Sequence, residues 1–242
     1  MITKELIENR INNFLGYGNL NSDIWFIGME EGFDGTLEEL EQRFKATYNK
    51  KVIDIQNDMG STTDHMKWFV KNPPLQRTYS KIARMLLLFG GKEISNNIIR
   101  NYQSNQLARI DSNHCLLEFM PLPNRSLNKS DWLYQQFNID YLQDRKTYLN
   151  IVRKIRNKLF KNLIKEHNPK IVIYYSLTYL DKWSNILEAK FTSILSERLY
   201  CYELDGTCHF VTPHPTAHGL TNKEWDNISK EILNKSAYGK AE

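Results

Sequence analysis

Three short apolar runs most constrain this chain: "IWFIG" at 24–28, "HCLLEF" at 114–119 and "IVIYYSL" at 171–177. Each is too short and too continuously apolar for a surface helix and reads as a buried strand. Helical patterns lie between them. Residues 3–15 form one, with Gly16 as its stop. "GTLEELEQRFKATY" begins at a capping box on Thr36. "QRTYSKIARMLLLFG" follows the turn at Pro73-Pro74 and closes at Gly90, while residues 50–74 read as irregular. A basic helix spans 144–167, and "KEWDNISKEILNK" closes the chain. "RLYCYELDGTCHFVTPHP" reads as a hairpin turning at Asp205-Gly206 and supplies a further strand. Strands separated by helices predict an α/β fold, a three-layer α/β/α sandwich around a central, mainly parallel four-stranded sheet. No repeat, low-complexity tract or linker divides the 242 residues, so residues 1–242 are expected to form one domain.

Composition narrows the function classes. A chain of this length buries a core without covalent staples. Cys115, Cys201 and Cys208 are too few for a disulfide framework or a four-thiolate iron–sulfur cluster. No apolar run approaches a membrane span, and "MITKELIENR" is too acidic and polar for a signal peptide. The expectation is a cytoplasmic protein with no membrane contact and no obligate protein partner. The net charge of +4 permits a nucleic-acid partner without demanding one. In the basic helix, Ile151, Ile155, Leu159 and Leu163 follow helical spacing, and Lys154, Lys158, Lys161 and Lys165 line another face. That lysine face reads as solvated surface, with phosphate binding as the alternative.

Parallel sheets bind ligands beyond the carboxyl ends of their strands. Three polar segments follow strand ends here, at 28–32, 118–124 and 214–222, and are expected to converge on one crevice. Taken alone, "GMEEG" at 28–32 is neither a phosphate loop nor a dinucleotide fingerprint; it reads as a glycine-flanked turn with two solvent-facing carboxylates. His214 and His218 stand four apart, but Pro215 and Gly219 argue against the helix that shared metal ligation requires. Facing hairpin positions account for Cys201, Cys208 and His209. No metal and no cofactor is expected.

Together, these segments resemble the uracil-DNA glycosylase superfamily across roughly residues 14–233, in the family's order. The family's first motif closes its first strand in forms such as GQDPYH, GINPG and GMNPG; here it is Gly28-Met29-Glu30-Glu31-Gly32. Its last motif, HPSPLS, HPSPRN or NPSGLS, is similar to His214-Pro215-Thr216-Ala217-His218-Gly219-Leu220. "NPPLQRTYSKIARML" resembles the proline-rich loop and following helix, "LLEFMPL" the strand carrying the base-reading residue, and "NPKIVIYYSL" the third strand.

The resemblance implies hydrolysis of an N-glycosidic bond in DNA, leaving an abasic site. Glu30 takes the place of the catalytic Asp or Asn, where a carboxylate stabilises the sugar cation and orients or deprotonates water. His214 is placed to hydrogen-bond the base O2 as charge gathers there. Gly28, Met29, Glu31, Gly32, Phe33 and Glu118 fall at substrate-binding positions. Gln76, Arg77 and Thr78, at a helix start, are expected to hold DNA phosphates, and Thr216 is expected among the DNA-binding residues. His218 and Leu220 are the candidates for filling the gap left by a flipped pyrimidine nucleotide. Lys67 and Lys71 are the lysines nearest to a Schiff-base reading; none stands at a position that implies it, so a monofunctional enzyme is expected.

Three departures bear on the substrate. Glu31 replaces the motif's proline, which leaves the choice of catalytic carboxylate open between Glu30 and Glu31. Gly32 stands where GQDPYH carries a tyrosine that crowds the pyrimidine C5 position, so a bulky C5 group is expected to fit. Glu118 stands where the family often reads uracil with asparagine. An ionised carboxylate only accepts hydrogen bonds and pairs with the exocyclic amine of cytosine. The expected substrate is therefore a C5-enlarged cytosine, such as glucosylated hydroxymethylcytosine of phage DNA, in a defence role. The alternatives are a uracil or deaminated-base repair glycosylase, and a non-catalytic DNA- or nucleotide-binding module on the same fold.

Overall fold

Residues along the apolar runs alternate between two cores. Trp25 and Ile27 enter one with Cys115, Leu117, Val172, Tyr174 and Val211. Ile24 and Phe26 enter the other with Leu116, Ile171, Ile173 and Phe210. Burial on both faces is what a helix-covered parallel sheet requires. The computed structural model describes residues 1–33, 35–59, 65–125, 132–236 and 238. Its first half runs α1 (Lys4–Asn13), β1 (Gly16–Gly18), β2 (Ile24–Gly28), α2 (Leu37–Ala46), β3 (Val52–Ile53), α3 (Ile55–Met59), α4 (Arg77–Phe89) and α5 (Asn96–Asn105). Its second half runs β4 (His114–Glu118), α6 (Arg145–His167), β5 (Ile171–Tyr175), α7 (Leu180–Leu187), β6 (Thr192–Ser193), β7 (Tyr200–Leu204), β8 (Thr207–Thr212) and α8 (Asn222–Ser236).

The sheet order is β3-β1-β4-β2-β5-β8-β7-β6. Its middle four strands, β4-β2-β5-β8, are all parallel, as expected for the sheet's centre. The sheet is nevertheless twice as wide as expected and partly antiparallel. β1 runs antiparallel to β4 and carries β3 outside it, while β7 and β6 extend the other edge. Helices α1, α2, α6 and α7 cover one face, and α4 and α8 the other. The β7–β8 hairpin turns at Asp205 (φ 50°) and Gly206 (φ 82°), the paired left-handed conformation that twisted hairpins favour.

Several local expectations are corrected. Gly16 does not stop a helix; α1 ends at Asn13, and Gly16 opens β1 against β4. Residues 50–74 are not uniformly irregular, since β3 and α3 lie within them; residues 60–64 fall outside the described residues. The register of α6 differs as well. Ile151 and Ile155 are 44% and 53% exposed, and the helix instead buries Tyr148, Val152, Arg156 and Phe160.

Arg156 explains that register. Its guanidinium is fully buried and donates to the carbonyls of Phe14 (3.0 Å), Glu118 (2.7 Å) and Phe119 (2.8 Å). Those carbonyls lie just beyond α1 and at the end of β4. One arginine thus satisfies three main-chain acceptors, which outweighs burying Ile151 or Ile155. Arg156→Met is expected to cost about 3 kcal/mol or more, the desolvation of three orphaned acceptors. Urea denaturation checks this, and Arg156→Lys should restore only part of the loss.

Candidate functional site

β2 sends its chain to β4 on one side, and β5 sends its chain to β8 on the other. This reversal opens a crevice at the carboxyl ends of the parallel strands. Main-chain bonds lace the loops after β2 and β4 together: Phe119 N–H to Gly28 O (2.8 Å), Met120 N–H to Met29 O (2.6 Å), Asn124 N–H to Glu31 O (3.0 Å) and Phe33 N–H to Asn124 O (3.0 Å). The glutamate-rich loop is therefore rigid without a proline. Two adjoining cavities, of about 330 and 340 Å³, share Glu30, Glu31, Gly32, Tyr175 and His214. Glu118, Tyr17, Gln76, Thr78 and Tyr79 also line the first; Met29, Asn124, Arg125, Ser176 and Tyr179 help complete the second.

The two loop glutamates do not face solvent as a free turn would place them. Glu31 is 8% exposed, and its Oε2 receives a hydrogen bond from Arg10 Nη2 (2.8 Å), with Arg43 Nη1 at 3.7 Å. The Tyr17 hydroxyl donates to its Oε1. Burial pushes this carboxyl up, but Arg10, then Arg43 and the Tyr17 bond outweigh burial and hold it below the usual carboxylate range. Glu31 is a fixed anion inside the wall.

Glu30 sits differently. Its Oε1 accepts from Arg145 Nη2 at 2.5 Å, while its buried Oε2 has no hydrogen-bond partner among the described residues. Burial pushes the Glu30 carboxyl above its ordinary value, partly offset by Arg145. A carboxylate held by one oxygen and unpaired at the other is suited to receive a proton or face a cation.

Glu118 closes β4 on the floor of the first cavity, also with Oε2 buried and unpartnered. Burial, then the charges of Glu31 and Glu30, push it well above the carboxylate range, against weaker pulls from Arg10 and Arg156.

His214 stands across the crevice. The Thr216 backbone N–H lies 3.2 Å from its Nδ1, and the Thr216 hydroxyl 2.8 Å from the same nitrogen. A nitrogen that accepts a backbone N–H carries no proton, so the hydrogen-bond network assigns the proton to Nε2. Burial lowers the imidazole's pKa, which keeps it neutral at neutral pH. Tyr175 packs edge-on against His214, with ring centroids 5.5 Å apart. Its hydroxyl would lie 2.2 Å from a Cβ at Gly28, so only glycine lets the ring lie across the end of β2. A Cβ at Gly32 would meet nothing within 4 Å. That position opens into both cavities.

Other expected site residues fall elsewhere. Phe33 is 4% exposed and packs in the core beneath Arg43, 5.3 Å from its ring, so it presents no surface to a substrate. The Gln76 side chain caps α4 by accepting from Tyr79 N–H (2.6 Å), while Arg77 is exposed and Thr78 lines the first cavity. Thr216 is exposed and engages His214. His218 is exposed at its loop, whereas Leu220 leans on the core containing Trp225 and Ile82. Lys161 and Lys165 line a separate cavity roughly 24 Å along α6 from Arg145, so that end of the lysine row lies far from Glu30. Among the described residues no helix is long and apolar enough to cross a membrane.

Arg10, Arg43, Arg145, Tyr17 and Tyr175 did not emerge from sequence reasoning. A signal existed for the first two. "IENRI" and "LEQRF" each place an arginine inside a helix's apolar stripe, three residues after a buried aliphatic, and a buried cation needs an anion. Compared with models of known protein families and with curated proteins, the chain matches none.

Glu31→Gln should destabilise the fold by about 3–5 kcal/mol at neutral pH, because two buried arginines lose their anion. A carboxyl held low contributes stability above the unfolded value of 4.5 and loses it as pH falls through its lower folded value. The gap between wild type and variant in urea denaturation should therefore narrow only below about pH 4.5.

Proposed function

We propose that this chain is a monofunctional DNA glycosylase acting on a flipped pyrimidine nucleotide. The observation that carries the reading is the pairing of Glu30 and His214 along one crevice: a carboxylate whose buried Oε2 has no partner among the described residues lines the same cavities as a neutral imidazole with Nε2–H. N-glycosidic hydrolysis needs these two opposite groups. As the C1′–N1 bond breaks, its electron pair leaves with the pyrimidine and spreads onto O2, where His214 Nε2–H donates a hydrogen bond. Glu30 faces the sugar cation and takes a proton from the water that attacks C1′. Arg145 holds Glu30 Oε1, fixing the carboxylate's orientation and leaving Oε2 unpaired. The products are the free base and an abasic site.

The favoured substrate is a C5-enlarged cytosine, with defence against phage DNA as the role. The open space at Gly32, joining both cavities, supports room beside C5. Duplexes carrying glucosylated hydroxymethylcytosine or uracil, scored for abasic sites, test the choice of base. Release from the uracil duplex alone would leave the repair alternative standing. Binding of DNA with no release from any duplex would leave the non-catalytic module.

Glu30→Gln should lower kcat by about 10²–10⁴-fold and His214→Ala by about 10²–10³-fold, with DNA affinity largely kept. Loss of binding in both variants, with wild type inert, would contradict the assignment. Glu30 works ionised, so the rate should fall as pH drops through its raised pKa. Arg145→Gln removes the charge that lowers that pKa, and the acid limb of the pH–rate profile should move to higher pH. Gly32→Tyr should abolish release of the bulky base by filling the open space.

A further inference from the structure

The crevice holds three carboxylates, and its cations are distributed unequally among them. Arg10 and Arg43 approach Glu31, and Arg145 holds Glu30. Arg156 lies against Glu118 but gives its Nη2–H to that residue's own backbone carbonyl and its Nε–H to the next one. Among the described residues, Glu118 has no ion pair, and its buried Oε2 has no hydrogen-bond partner. Glu118 is also the one of the three that closes a strand on the cavity floor. An ionised carboxylate in that position would be buried, unpaired and beside two other negative groups, which costs several kcal/mol.

We infer that Glu118 stands as a neutral carboxylic acid and reads the N3–C4 edge of an extruded pyrimidine as donor and acceptor together, as an amide does. The recognition half of this inference rests on the glycosylase reading; the protonation half does not. The charged and titratable groups around Glu118 are Glu30 and Glu31 from the loop after β2, Arg10 from α1 and Arg156 from α6. Tyr17 of β1, Tyr79 of α4, Tyr175 of β5 and His214 line the same cavity, with His65. Burial and the two glutamates outweigh the two arginines, in agreement with the neutral form.

Neutrality changes what the site selects. An ionised Glu118 accepts only, and so meets the cytosine amine and repels the uracil O4. A neutral acid presents C=O and O–H side by side. It accepts from N4–H and donates to N3 of a cytosine edge, or accepts from N3–H and donates to O4 of a uracil edge. The proton's position on one oxygen or the other decides which. Glu118 therefore admits both edges, and the open space at Gly32 admits a C5 group on either. The substrate class widens to pyrimidines with room for a C5 enlargement, cytosine and uracil types alike.

Two measurements test this. The first is urea denaturation of wild type and Glu118→Gln between pH 4.5 and 8, without DNA. A folded acid that keeps its proton while the unfolded one ionises makes the wild-type folding constant fall, relative to the variant, by up to tenfold per pH unit. A ratio independent of pH would overturn the neutral acid. The second compares base release from duplexes carrying glucosylated 5-hydroxymethylcytosine and glucosylated 5-hydroxymethyluracil. Wild type and Glu118→Gln should release both bases, and Glu118→Ala should lose at least tenfold on each. Wild-type release confined to the cytosine type, abolished in Glu118→Gln, would overturn the recognition role. The pH slope without release from any duplex would overturn the recognition role and the glycosylase reading together, leaving the protonation state established.

Discussion

The site depends on one buried anion. Glu31 is enclosed by Arg10 of α1, Arg43 of α2 and the Tyr17 hydroxyl of β1, so three elements meet on a single carboxylate beyond β2. Desolvating these charges is costly, and the cost is tolerable only because the partners are mutual. Arg10 reaches further, donating also to the Pro121 carbonyl (3.2 Å) and the Thr47 hydroxyl (2.9 Å). The loop after β2 is thereby fixed to the loop after β4 and to the helical layer.

Fixing Glu31 sets the states of its neighbours. With two arginines at Glu31 and one at Glu30, the three carboxylates have three different environments: a doubly paired anion, a singly held carboxylate with a free oxygen, and an unpaired group on the cavity floor. Environment rather than residue type separates their chemistry, as in other sites where carboxyl groups of one kind take different roles. His214 completes the set because Thr216 fixes its tautomer and Tyr175 packs against its ring.

Much of this was legible in the chain. The apolar runs located the parallel centre of the sheet, and the capping box at Thr36 and the helix start after Pro73-Pro74 set boundaries to within a few residues. Glu30, Gly32, Glu118 and His214 could be singled out because each lies at or just beyond a strand end, and the structure gathers them at one crevice. β1 and β3, at three and two residues, are too short to carry a period. The α6 register was hidden because Arg156 belongs to the buried stripe, and hydropathy assigns an arginine to solvent. Phe33 was misplaced for a related reason: an aromatic beside a motif reads equally well as a stacking surface or as core. Glu31 was the least legible, since its role depends on arginines 21 residues earlier and 12 residues later in the chain.

If Glu30 stabilises a sugar cation as proposed, the crevice should favour a positively charged sugar over a neutral one. Binding of a duplex carrying a cationic azasugar at an abasic position, against the same duplex with a neutral tetrahydrofuran abasic analogue, tests it most directly. Wild type should prefer the cationic duplex by at least about tenfold, and Glu30→Gln should lose the preference. Equal affinity of wild type for the two duplexes would contradict it.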